Sequence, residues 1–131
     1  MKTCLLFSMA VFSASFQLAA AQTCYDGADT TTPTTRFTLN DDGTVLDTET
    51  GLMWQRCSYG QVYDSDTETC TGSSPSLNWQ EALRGAENDT TADYDDWQVP
   101  NVKELASILE HSCTEPSINE EVFLGTKLQN Y

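Results

Sequence analysis

Hydrophobic and polar positions change rhythm several times along this chain. Residues 5–16 are mostly apolar, follow the single cation Lys2 and are broken by Ser8, Ser13 and Ser15. A bilayer-spanning helix needs about 20 apolar residues, so this run is too short for one. Ala19-Ala20-Ala21 puts small residues at the −3 and −1 positions before Gln22, so residues 1–21 are predicted to be a secretory signal peptide. Residues 22–35 are rich in Thr and Asp, include Pro33, and are predicted to be an extended lead-in. Arg36-Phe37-Thr38-Leu39 then alternates polar and apolar, the period of a half-buried strand. Asn40-Asp41-Asp42-Gly43 reads as a turn, residues 44–47 as β-rich, Glu49-Thr50-Gly51 as a second turn and residues 52–56 as a third strand. The pattern predicts a three-stranded meander.

The alternation then lapses. Residues 57–75 are polar apart from a few aromatics and are predicted to be a long loop tied down by a covalent link. Trp79, Ala82 and Leu83 fall at i, i+3 and i+4, so the segment from Asn78 to Arg84 is predicted to be helical, with Trp79 on its buried face. Residues 88–96 form an acidic loop, and Trp97-Gln98-Val99 is a short strand candidate that stops at Pro100. Asn101 and Glu104 make a capping box, which predicts a helix running to about Glu110 or His111. Leu105, Ile108 and Leu109 are its expected buried stripe. Pro116-Ser117-Ile118-Asn119 is a further turn. Short antiparallel strands with two helices make residues 36–131 an α+β domain.

Composition narrows the partners. The chain carries 20 acidic and 6 basic residues, a net charge of −14. Removal of residues 1–21 takes away Lys2 and leaves −15. Such a surface repels nucleic acid and anionic membranes, so neither is an expected partner and no membrane insertion is expected after leader cleavage. Four cysteines remain, Cys24, Cys57, Cys70 and Cys113, and an even count in an exported chain reads as two disulfides. Three pairings are possible. The short separation of Cys57 and Cys70 favours that pair, which leaves Cys24 with Cys113. A zinc site is disfavoured because no C-x-x-C pair is present. The expected location is secreted, periplasmic or cell-surface.

The order of several pieces carries a family resemblance. They are Thr50-Gly51-Leu52-Met53-Trp54, Cys57 to Gly72, Trp79-Gln80-Glu81-Ala82-Leu83, Asp96-Trp97-Gln98-Val99-Pro100, Lys103-Glu104-Leu105 and Pro116-Ser117-Ile118-Asn119 with Phe123. From about Phe37 to Tyr131 the chain resembles the Lcl C-terminal domain family. That resemblance implies a fold related to the C-type-lectin-like and sulfatase-modifying-factor folds, in exported or surface proteins of bacteria. It also implies an adhesin-like role, since the founding domain binds sulfated glycosaminoglycans. Two departures stand out. The family pattern usually has Arg where this sequence has Gln98, and it continues with a Trp-Ser-Ser stretch beyond the point where this chain ends. The resemblance therefore implies an incomplete domain.

Few residues announce chemistry. Tyr59 and Tyr63 in the cysteine-bounded loop are candidate ligand contacts, together with Asp93, Asp95 and Asp96 in the acidic loop. Trp54, Trp79 and Trp97 are expected to be core rather than a glycan-stacking platform. Asp64, Asp66 and Glu68 alternate and could gather oxygen ligands for Ca²⁺, the one cofactor considered, although the Gly and Glu of an EF-hand loop are replaced by Thr69 and Pro75. The lone His111 has no G-x-S-x-G partner, and as a last-turn residue it suits a helix C-terminus. The resemblance implies a non-catalytic binding module for an extracellular glycan or surface protein, and no residue pattern here points to catalysis. The rival readings are an assembly protein with a basic partner and a carboxylate-based hydrolase.

Overall fold

Three antiparallel ladders and two helices build the α+β architecture of residues 22–126, the part of the chain that the computed structural model describes. The predicted signal peptide lies outside the described residues. The lead-in begins with β1 (Thr23–Cys24), which pairs with β7 (Cys113–Thr114) in the register Cys24↔Cys113. Those two cysteines are joined, with Cα atoms 4.0 Å apart, so the start of the lead-in is stapled to the far end of the fold. Among the described residues no helix is long and apolar enough to cross a membrane.

The predicted meander is present. It comprises β2 (Phe37–Leu39), β3 (Thr44–Asp47) and β4 (Met53–Gln55), in that spatial order. Gly43 supplies the positive φ of 82° that the first turn needs. Asp47 is fully buried at the end of β3. It accepts two hydrogen bonds from the Arg36 guanidinium, at 2.7 and 2.5 Å, and further bonds from Glu49 N and Thr50 Oγ1 that shape the second turn. The bonds from Arg36 outweigh the opposing effect of burial and bring the Asp47 carboxyl down to about 2.

Residues 57–75 are more ordered than a tied loop. They contain a hairpin of β5 (Gln61–Asp64) and β6 (Thr69–Gly72), with Tyr63 opposite Cys70. The Cys57–Cys70 disulfide fixes this hairpin just beyond the end of β4. The helices are α1 (Trp79–Glu87) and α2 (Val102–Ser107), each opened by a capping box, Asn78 with Glu81 and Asn101 with Glu104.

Helix α2 ends three residues earlier than its periodicity predicts. Ile108 leaves helical geometry at φ −101° and ψ 7°, Leu109 bridges to Ile118, and Glu110 turns inward. The Glu110 carboxylate is 2% exposed and accepts six hydrogen bonds, from the backbone N–H and the hydroxyl of each of Thr31, Thr32 and Ser112. It thereby clamps the lead-in to the 110–112 turn. His111 lies beyond the helix, so it is not the dipole partner that its position in sequence suggested. The core is small: Phe37, Val45, Ile108, Val122 and Phe123, with Trp54 and Ile118 packed against it. Of the stripe expected on α2, only Ile108 is buried; Leu105 and Leu109 are exposed. Residues 97–99 form no strand.

Candidate functional site

An open cleft of about 550 Å³ lies between β4, α1 and residues 94–100. Four aromatic side chains line it: Trp54, Tyr59, Tyr94 and Trp97. Each is positioned for a local reason. Strand β4 turns Trp54 toward the core, where it meets Phe123 edge-to-face at 6.3 Å. Its Nε1–H is closed off from solvent and has no hydrogen-bond partner, and it is the one buried side-chain polar atom in that state among the described residues. Trp97 is half-buried and donates from Nε1 to Thr91 O at 3.0 Å, while its ring meets Tyr94 edge-to-face at 5.9 Å. Tyr59 lies over Gly85 of α1; a Cβ there would sit 3.0 Å from the phenol, so the glycine makes room for the ring.

The capping box at Asn78 sets where α1 begins and hence which face it presents. Ala82 and Ala86, one turn apart, then line the cleft, and their short side chains leave its volume free. Leu52, Met53, Leu77, Val99 and Pro100 complete the apolar wall. The polar groups of the lining include three carboxylates, Asp89, Asp96 and Glu104, and no Lys or Arg. Asp89 is anchored. It accepts from Gln55 Nε2 at 2.8 Å, which ties β4 to the loop after α1, and from Thr91 N and Oγ1. Burial works to raise its carboxyl, but the bonds from Thr91 and Gln55 outweigh it and hold the group below the usual aspartate range.

The structure brings only some of the predicted contacts together. Tyr59 and Asp96 line the cleft. Asp93 and Asp95 are exposed on the adjoining segment and do not line it. Tyr63 is half-buried elsewhere and is not the free contact the sequence suggested. Its ring lies against Gly43, and Arg56 sits over it at 5.3 Å while donating to its hydroxyl at 3.0 Å. That guanidinium is itself buried and also donates to the carbonyls of Glu121 and Val122, so Tyr63 serves a structural contact.

Asp64, Asp66 and Glu68 do not gather into a cation site. Asp64 is occupied by its own turn, its Oδ1 accepting from the backbone N–H groups of Asp66 and Thr67. These bonds hold its carboxyl below the usual range. Among the described residues no three His, Cys, Asp or Glu side chains come close enough to hold a metal ion. The tryptophans divide. Trp54 is core and cleft at once, Trp97 is half-buried in the cleft, and Trp79 is 68% exposed, against the core position its periodicity implied. The signal for the missed members lay in Tyr94-Asp95-Asp96-Trp97, an aromatic pair three residues apart with two acids between.

Fold and cleft together define a small α+β domain with antiparallel strands, two helices and two disulfides. The profile of the Lcl C-terminal domain matches residues 43–131, more than half of the chain, and the chain belongs to that family. No curated protein and no solved structure matches it.

Proposed function

We propose that this chain is a non-catalytic, adhesin-like binding module that works outside the cytoplasm and takes part of a surface ligand into the aromatic cleft. The cleft carries this reading. Its volume falls within the range of ligand sites, roughly 300–1,000 Å³, and its wall is apolar with a few placed polar groups. Its side chains are fixed before any ligand arrives, Trp97 by its bond to Thr91 O and Asp89 by Gln55 and Thr91. Pre-set contacts lower the entropic cost of binding.

Export is supported by the leader-like residues 1–21, by two disulfides and by the family. A relation to the C-type-lectin-like folds, with a loop surface facing the ligand, belongs to the same proposal. The ligand is then an extracellular glycan or a surface protein. The test immobilises residues 22–131 and measures binding to a glycan array and to intact cells at low and high salt, for the wild type and for Trp97→Ala and Tyr59→Ala. Saturable binding that survives salt and drops about tenfold or more in both variants supports the module. Binding untouched by either variant contradicts it, as does turnover of a glycoside panel that a single carboxylate substitution abolishes. Retention on heparin at physiological salt is expected to be weak, because the mature charge of −15 repels a sulfated polymer.

A further inference from the structure

Both helices are amphipathic, yet neither buries a single residue. On α1 the stripe runs through Trp79, Ala82, Leu83 and Ala86. Ala82 and Ala86 line the cleft, while Trp79 and Leu83 carry the same face outward at 68% and 45% exposure. On α2, Val102 and Leu105 are 81% and 50% exposed. An apolar helix face left open beside a cleft is where a partner is expected to dock.

Charge decides what can cover it. The lining holds Asp89, Asp96 and Glu104 and no cation. The neighbouring Glu81, Glu87, Asp93 and Asp95 are all exposed. A second copy of the chain would bring the same acids against these, each copy at −15 once the leader is removed. A neutral glycan can stack on Trp97 and Tyr59 and donate hydroxyl hydrogen bonds to the carboxylates, but it brings no counter-charge to them and no aliphatic side chain to Leu77 and Leu83. A chain segment that alternates apolar and basic residues meets both demands at once.

We infer that the cleft and the adjoining face of α1 dock a basic, amphipathic polypeptide segment of a partner protein. Its apolar side chains enter between Trp54, Trp97 and Leu77, and its Lys or Arg groups reach Asp89, Asp96 and Glu104. The inference rests on the reading of the cleft as a ligand site and names the ligand's chemistry.

The test titrates residues 22–131 with three short synthetic peptides while following tryptophan emission, since Trp54 and Trp97 line the cleft. One is an amphipathic Leu/Lys peptide, one a Ser/Lys peptide of equal charge, and one a Leu/Glu peptide of equal apolarity. The Leu/Lys peptide is expected to blue-shift the emission and to bind about tenfold or more tighter than either control. Asp96→Asn with Glu104→Gln should weaken it about fivefold, whereas Asp26→Asn with Glu120→Gln, an equal change of charge far from the cleft, should leave it within about twofold. Glutamine at 104 still completes the capping box, so α2 is preserved.

Equal binding of the Ser/Lys or the Leu/Glu peptide overturns the inference, as does an equal effect of the two charge pairs. A sedimenting dimer that hides the cleft from the peptide also overturns it. If a neutral oligosaccharide binds in a Trp97-dependent way and the Leu/Lys peptide does not, the binding-module reading stands and this inference falls. If Trp97→Ala changes the binding of neither, both fall.

Discussion

Replacing Glu110 by Gln probes the contact that joins the lead-in to the rest of the fold. The carboxylate divides its six bonds between its oxygens. Oε1 accepts from Thr31 N, Thr31 Oγ1, Ser112 N and Ser112 Oγ, and Oε2 accepts from Thr32 N at 2.8 Å and Thr32 Oγ1 at 3.0 Å. A glutamine whose oxygen takes the Oε1 place turns an NH₂ toward Thr32. The Thr32 hydroxyl can rotate to accept from it, but the backbone N–H cannot, and Thr32 is 1% exposed. One orphaned buried donor costs about 1–3 kcal/mol, and the remaining charge-assisted bonds fall to neutral strength, so the expected loss is about 3–4 kcal/mol. That is a large share of the roughly 5–15 kcal/mol that holds a small domain.

Urea unfolding of residues 22–131, followed by tryptophan emission, reads this loss, and its pH dependence supplies a second signature. Burial works to raise the Glu110 carboxyl, but bonds from Ser112, Thr32 and Thr31 outweigh it and hold the folded-state group far below the usual glutamate range. A carboxyl depressed by folding contributes its stability in full above its unfolded pKa. It loses that contribution as pH falls toward the folded value. Wild type should therefore weaken between about pH 5 and pH 2, and Glu110→Gln should weaken less over the same window. Asp47, lowered from 3.8 to about 2, adds about 2 kcal/mol of the same sign to both proteins. A variant within about 0.5 kcal/mol of wild type at pH 7, or one with an identical pH slope, would refute the reasoning.

Other substitutions report on separate parts of the fold. Cys57→Ser with Cys70→Ser opens a loop with a sequence separation of 13 and should cost about 3 kcal/mol in chain entropy. Opening Cys24–Cys113, with a separation of 89, should cost about 4–5 kcal/mol; equilibrium unfolding of each double mutant checks both figures. Gly43→Ala places a Cβ 2.6 Å from Tyr63 Cβ at a φ of 82°, and a drop of about 2–4 kcal/mol is expected by thermal or urea unfolding. Trp97→Ala removes a half-buried ring and should cost stability only about 1–2 kcal/mol while weakening ligand binding about tenfold or more, so binding and unfolding assays of the same preparation will part.

Much of the scaffold was legible because its signals are local. Alternation from Arg36 to Leu39 and glycines at 43 and 51 spell a meander, and Asn101 with Glu104 spells a helix start, since each depends on residues a few positions apart. The hairpin at 61–72 was hidden. Its turn, from Ser65 to Glu68, is polar throughout, and much of its definition comes from the Cys57–Cys70 link. Periodicity placed Trp79, Ala82 and Leu83 on one face of α1, but two of the three stripe residues it gave α2, Ile108 and Leu109, lie beyond that helix, and it cannot say whether anything covers a face: Trp79, Leu83 and Leu105 turn out exposed. The end of α2 was misplaced because Glu110 is drawn out of the helix by Thr31 and Thr32, nearly 80 positions earlier. The cleft joins β4, α1 and residues 94–100, so only Tyr59 and Asp96 among its lining were singled out in advance as ligand contacts.

The claim that the cleft is the surface by which this domain recognises its ligand is open to direct mapping. Nitrogen-15-labelled residues 22–131, titrated with the Leu/Lys peptide, would show which backbone amides respond. The account predicts shifts concentrated at Leu52 and at Met53–Gln55 of β4, at Leu77 and the cleft-facing turns of α1, and across Tyr94, Trp97 and Val99, with the Glu110 clamp unmoved. Shifts centred instead on the lead-in and the 110–114 turn, or spread evenly over the acidic surface, would contradict it.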